Sequence, residues 1–178
     1  MYFFAYFPTA MHFIRKQALS GLRVASFVGD AVPDAAMFRK DSVMLRNLIQ
    51  KGLNSITKKE RRSILDRWIP AVGQDNENVV QRVSFTEKEL KFIKAHPKLS
   101  MAIDTDWPPF EFLNEEGEYS GISSSVTEWV SKVSGIKLQP IKGLPWSKAL
   151  ESVKCGEIQI IAMVKPTAKR AEYMDFTT

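Results

Sequence analysis

Over residues 98–178 short apolar runs alternate with segments of helical period, and this alternation limits the fold more than any other feature of the chain. LSMAID (99–104), IKLQPI (136–141) and EIQIIAM (157–163) have the length and apolar content of strands. Between the first two lies a helix-period stretch over 123–134, with Val126, Trp129, Val130 and Val133 on one side and Gly135 just past its end. A second such stretch covers 146–153, and Thr167 opens a third. Strands separated by helices at this spacing need crossover connections. The pattern therefore predicts an α/β fold with a mainly parallel sheet flanked by helices.

The upstream half reads differently. Residues 22–28 (LRVASFV) have strand character, and 29–35 read as a loop. Asp41 is the expected cap of a helix bearing Val43, Met44, Leu45, Leu48, Ile49 and Leu53 on one side. Thr57 and Glu60 have capping-box spacing ahead of Ile64, Leu65, Trp68 and Ile69, and Pro70 stops that run. So 41–69 is a predicted helical pair. Residues 71–85 are polar and weakly periodic, the best linker in the chain. Thr86 and Glu89 repeat the capping box, and Pro97 ends the helix they start. The opening MYFFAYFPTAMHFI lacks a basic start and a small-residue cleavage site, and Arg15-Lys16 follow it. It reads as a buried strand followed by a short helix rather than a signal peptide.

Several function classes are excluded at this level. No stretch reaches the roughly 18 consecutive apolar residues of a membrane span. Cys155 is the one cysteine, so no intrachain disulfide forms, and its expected state is a half-buried inert thiol. With His12 and His96 the only histidines, no metal set and no cofactor is expected. Residues 1–72 carry twelve Lys/Arg against five Asp/Glu, whereas 73–178 carry thirteen against fifteen. The basic excess has no aromatic or glycine-rich recognition pattern beside it, so it reads as a solvated helix face and not as a nucleic-acid surface. No GxSxG, HExxH, P-loop or GxGxxG is present.

Two clusters carry the chemistry. DTDWPPFE (104–111) follows the end of a predicted strand, where open parallel sheets place their ligand crevice. There Asp104 can accept from a ligand ammonium and Trp107 offers a flat stacking face; alternatively Trp107 and Phe110 belong to the core and Asp104 caps a turn. The second cluster is Thr167-Ala168-Lys169-Arg170, also just after a strand. Thr167 can cap a helix whose first turn holds Arg170, and the forked guanidinium suits a carboxylate; alternatively Arg170 pairs with a surface acid.

In order and spacing, FTEKELKFIKAHPKLSMAIDTDWPPFEF, the EEGEYSGI turn, LPWSKALESVKCGEIQIIAMV and PTAKRAEYMDFT resemble the family 3 periplasmic solute-binding proteins, and within them the Venus-flytrap domains repeated in tandem in hybrid sensor histidine kinases. The stretch from FIRKQALSG to ILDRWI resembles the C-terminal quarter of such a domain, which ends on two helices with a Trp-Ile pair like Trp68-Ile69. The resemblance implies the end of one flytrap domain (1–70), a linker (71–85) and the N-terminal lobe segment of a second (86–178). It implies an incomplete periplasmic-binding-protein-like α/β lobe and an extracytoplasmic sensor fragment, with kinase and membrane segments outside this sequence. The implied partner is a small polar or carboxylate-bearing solute, such as an amino acid, and no catalysis is implied. The alternatives are a lytic transglycosylase or dehydratase relative and a transport receptor. By position, Asp104, Trp107, Lys165, Thr167 and Arg170 would form the ligand site. Two positions depart from the family pattern: Lys165 stands where a hydroxyl residue is usual, and Gln159 where Asp is usual. They open the site to a more acidic ligand, or to none. Two pieces of homologous-looking domains, in reversed order, can also pack as one permuted lobe, with the 41–69 stripe covering 98–178.

Overall fold

The computed structural model describes residues 5–19, 22, 28–29, 33–69 and 83–177. In chain order these form α1 (Phe7–Lys16), β1 (Ala35–Arg39), α2 (Val43–Asn54), α3 (Lys58–Trp68) and α4 (Glu87–Ala95). Then come β2 (Lys98–Ala102), β3 (Asp106–Trp107), β4 (Glu111–Leu113), β5 (Tyr119–Ser120) and α5 (Ile122–Ser134). The chain continues through β6 (Lys137–Ile141), α6 (Trp146–Cys155), β7 (Ile160–Val164), α7 (Ala168–Ala171) and β8 (Met174–Phe176). Most of the strand expected over 22–28, and the linker except for 83–85, lie outside the described residues.

Both capping boxes form. Thr57 and Thr86 accept from the backbone N–H of Glu60 and Glu89, and the two glutamates reach back to the cap residues. The cap at the start of α2 is a correction. Ser42, not Asp41, occupies the cap position, with no side-chain capping bond, because Arg39 takes the Asp41 carboxylate (Nε to Oδ1, 3.0 Å). The left-handed Gly135 and Gly156 end α5 and α6.

The main sheet has five strands in the order β6-β2-β7-β1-β8. β2 runs parallel to β6 and β7, while β1 is antiparallel to both of its neighbours, so four of the five strands share a direction. The sheet is mainly parallel, with one reversed strand inserted. β1 comes from the upstream half and was not legible in the sequence, where 29–35 reads as a loop and 36–40 as nothing. Strand alternation explains its place. Phe38 faces one core, with Leu99, Met101, Val130, Ile136 and Ile160. Met37 faces the other, with Ala102, Ala149, Val153, Ile161 and Met174.

Of the upstream helical pair only α2 joins the first of these cores; α3 has no buried residue, and the stripe expected at Ile64, Leu65 and Trp68 is not core. Leu45, Leu48 and Ile49 of α2 are buried against the sheet and α5. Gly52 lets the α2 backbone approach closely, since a Cβ there would lie 3.1 Å from Val130 Cγ1. Two reciprocal bonds fix the pair on α5: Trp129 Nε1 donates to Ser55 Oγ (3.0 Å), and Trp68 Nε1 donates to Ser125 Oγ (3.2 Å). Residues 33–69 and 83–177 thus share one sheet and two cores, as a single permuted lobe requires.

Candidate functional site

The C-terminal ends of the parallel strands β2 and β7 lie side by side and feed the two sequence clusters. A cavity of about 360 Å³ opens there. Asp104, Trp107, Lys165 and Arg170 all line it, so four of the five residues expected from the sequence meet at one crevice. Thr167 does not line it. Its Oγ1 accepts from Arg170 N (3.3 Å) and caps α7, which aims the arginine.

Each of the four is held by local chemistry. Asp104 N–H donates to Glu111 Oε1 (3.2 Å), and its own Oδ1 accepts from Asp106 N (3.0 Å). Asp104 therefore both caps the turn and faces the cavity. Trp107 is half-buried and lies on Phe110, with ring centroids 4.7 Å apart. One face is packed and the residue still borders the crevice. Arg170 Nη1 donates to Lys165 O (2.7 Å), and the guanidinium sits 5.7 Å from the Trp146 ring centroid. That bond uses one donor of the fork. Gln159 is placed elsewhere: its Oε1 accepts from Ser100 N (2.9 Å) and ties β7 to β2.

Truncating Trp107 to alanine should cost about 1–3 kcal/mol, for the tilted contact with Phe110 and the half-buried part of the indole. A urea midpoint that instead reports the roughly 3–5 kcal/mol of a core Trp truncation would return Trp107 to the core.

Sequence reasoning missed part of the lining. Tyr6, Asp106, Trp146 and Val164 also border the cavity. Asp106 stands inside the DTDWPPFE cluster but had no role of its own, Trp146 reads as the start of a helix, and Tyr6 is far away in sequence.

Glu111 was missed as well, and no periodicity marks it. It is fully buried under the Asp104 turn. Tyr119 Oη lies 3.1 Å from its Oε2 and 2.7 Å from Ser123 Oγ. Burial pushes its pKa up to about 8, against the opposing pull of the Asp104 amide and the Tyr119 hydroxyl. The Tyr119 hydroxyl has one proton to donate, to Glu111 Oε2 or to Ser123 Oγ.

The turn is closed from the other side by Gly121, whose φ is +114°. A Cβ there would fall 2.5 Å from Phe110 O, so only glycine lets α5 start against this loop. Cys155 is exposed rather than half-buried. A larger cavity, about 720 Å³, lies under α2, α3 and α5, shares no lining residue with the crevice and is mostly apolar. Among the described residues no cluster is placed to hold a metal ion, and no helix is long and apolar enough to cross a membrane.

Residues 99–178 match the bacterial extracellular solute-binding proteins, family 3. The chain is 22% identical over 171 residues to the virulence sensor protein BvgS of Bordetella bronchiseptica, covering 95% of this chain and 14% of that protein. It is 24% identical over 106 residues to the sensor protein EvgS of Escherichia coli K12, covering 58% of this chain and 8% of that protein. The chain thus spans about one seventh or less of the length of these relatives. Among solved structures it is similar to the periplasmic domain of B. pertussis BvgS, with a TM-score of 0.48, 17% identity, and coverage of 50% of this chain and 17% of that one. It is also similar to the arginine-bound domain 1 of TmArgBP, with a TM-score of 0.42, 23% identity, and coverage of 46% and 64%.

Proposed function

We propose that this chain, whose residues 99–178 are a family 3 solute-binding segment, forms one lobe of an extracytoplasmic sensor that binds a small amino-acid-like or carboxylate-bearing solute. The observation that carries the reading is the meeting of Asp104 and Arg170, from two neighbouring strand ends, at one crevice walled by Trp107 and Trp146. A carboxylate fits the guanidinium fork, an ammonium fits Asp104, and an indole covers the apolar part of such a solute. Asp104, Trp107, Lys165 and Arg170 are the proposed contacts, and Thr167 positions Arg170.

The role is binding, not catalysis. In a two-lobed domain, closure over the solute would bias an attached kinase, as befits a relative of proteins named as sensors. The domain origins follow the same reading: 1–70 from the end of one flytrap domain, 71–85 a linker, and 86–178 the start of the next. The periplasm is the corresponding compartment.

Binding by one lobe should be weak. A charge-assisted contact contributes about 1.5–3 kcal/mol net, and a millimolar affinity already needs about 4 kcal/mol. Calorimetry against an amino-acid and dicarboxylate panel should give dissociation constants near or above about 1 mM, abolished by Arg170→Ala. Micromolar binding that survives Arg170→Ala would remove both the one-wall account and the role of Arg170.

A further inference from the structure

The larger cavity, about 720 Å³, lies between α3 on one side and the sheet and α5 on the other. Ile64 and Leu65, the apolar stripe of α3, form one wall. Met101 and Ile160 of the sheet and Val126 of α5 form the opposite one. That is why α3 buries no residue: its stripe faces open volume where a neighbouring side chain would otherwise pack. Protein interiors hold few voids larger than a water molecule, and a void forfeits the dispersion contacts of its lining. Apolar cavities stay dry and take apolar guests.

One side chain on this lining indicates what such a guest carries. Asp34, the residue before β1, lines the cavity, and its Oδ1 is buried without a hydrogen-bond partner. The other polar side chains of the lining have partners or water. Thr127 Oγ1 donates to Ser124 O (3.0 Å), Ser123 Oγ lies 2.7 Å from Tyr119 Oη, and Asn54 Oδ1 accepts from Gln50 Nε2 (2.8 Å). Arg61 is exposed, so water can solvate its guanidinium. A buried carboxylate oxygen left unpaired costs free energy that a donor would recover. Burial also holds the Asp34 carboxyl above its ordinary range, a shift that an ammonium beside it would oppose.

We propose that this cavity binds a small apolar amine, with its hydrocarbon body between the α3 stripe and the sheet and its ammonium on Asp34. A carboxylate of the same size would find only the exposed Arg61 and would leave Asp34 unpaired. The cavity shares no lining residue with the crevice, so the proposal does not rest on the solute-binding reading above.

Calorimetry on the full chain with phenethylamine and the similarly sized 3-phenylpropionate tests this. The measurements use an Asp104→Asn background, which removes the crevice's own acceptor for an ammonium. The amine should bind, and the acid should bind at least about tenfold more weakly. Adding Asp34→Asn should weaken the amine by about tenfold or more, the worth of one charge-assisted hydrogen bond. Val126→Phe, which places a ring in the cavity, should abolish binding while circular dichroism reports a folded lobe. Ala162→Leu fills the cavity from the sheet side and replaces it if Val126→Phe does not fold. Equal amine affinity with and without Asp34→Asn, tighter binding of 3-phenylpropionate, or amine binding that survives a folded, filled variant overturns the proposal. Amine binding by the wild type that vanishes in Asp104→Asn also overturns it and assigns the amine to the crevice. Absence of amine binding by both proteins overturns the cavity site and leaves the solute reading to its own panel.

Discussion

Phe38→Ala should unfold both halves of the lobe together. Phe38 is fully buried on β1, between strands β7 and β8 that the downstream half supplies. Its ring fills the core shared by Leu48 of α2, Met101 of β2, Val130 of α5 and Ile160 of β7. Truncating a buried phenylalanine costs about 3–5 kcal/mol, against a total stability of about 5–15 kcal/mol for an ordinary domain. Urea titrations followed by tryptophan fluorescence and by circular dichroism should shift by that amount and stay superimposed. If the loss is under about 1 kcal/mol, or the two probes separate, residues 33–69 are an independent unit and the shared core is wrong.

The second large effect is a pH dependence set by Glu111. Its carboxyl has a pKa of about 8 in the folded lobe, raised above the usual value of 4.5 first of all by desolvation. An acid with a raised folded pKa favours the folded state while it is protonated. Its contribution is therefore complete below about pH 4.5 and is lost as the pH rises to about 8, where the folded carboxyl also ionises. The span corresponds to a loss on the order of 5 kcal/mol.

Glu111→Gln keeps an acceptor for the Asp104 amide in a side chain of the same shape, and it cannot ionise. The difference in unfolding free energy between wild type and Glu111→Gln should therefore move in favour of the variant between pH 5 and pH 8. Parallel pH profiles for the two proteins would show that Glu111 is ionised in the fold throughout that range.

What could be read before folding was local. The capping boxes at Thr57 and Thr86 form because each links residues three apart, a distance the chain bridges within one turn. The end of α5 at Gly135 is equally local. The crevice was legible because both clusters directly follow apolar strands, and parallel strands deliver their following residues to one edge. Asp41 shows where local reading fails. It has the right chemistry for a cap, but Arg39, two residues earlier, competes for its carboxylate and wins.

The sequence by itself determined that residues 98–178 are alternating strands and helices, that helices fill 41–69, and that Asp104, Trp107, Lys165 and Arg170 follow strand ends. Tertiary structure alone decided the rest. β1 is a strand because β7 and β8 flank it and both its faces become core, which five residues with only Met37 and Phe38 as large apolar side chains do not announce. Glu111 is held neutral because the surrounding fold removes water from it, not because of its neighbours in sequence. Tyr6 borders the crevice because α1 is carried back across the hairpin. The physical reason is common to all three. Caps and periodicities depend on contacts a few residues apart, while desolvation and strand insertion depend on atoms that only folding brings within reach.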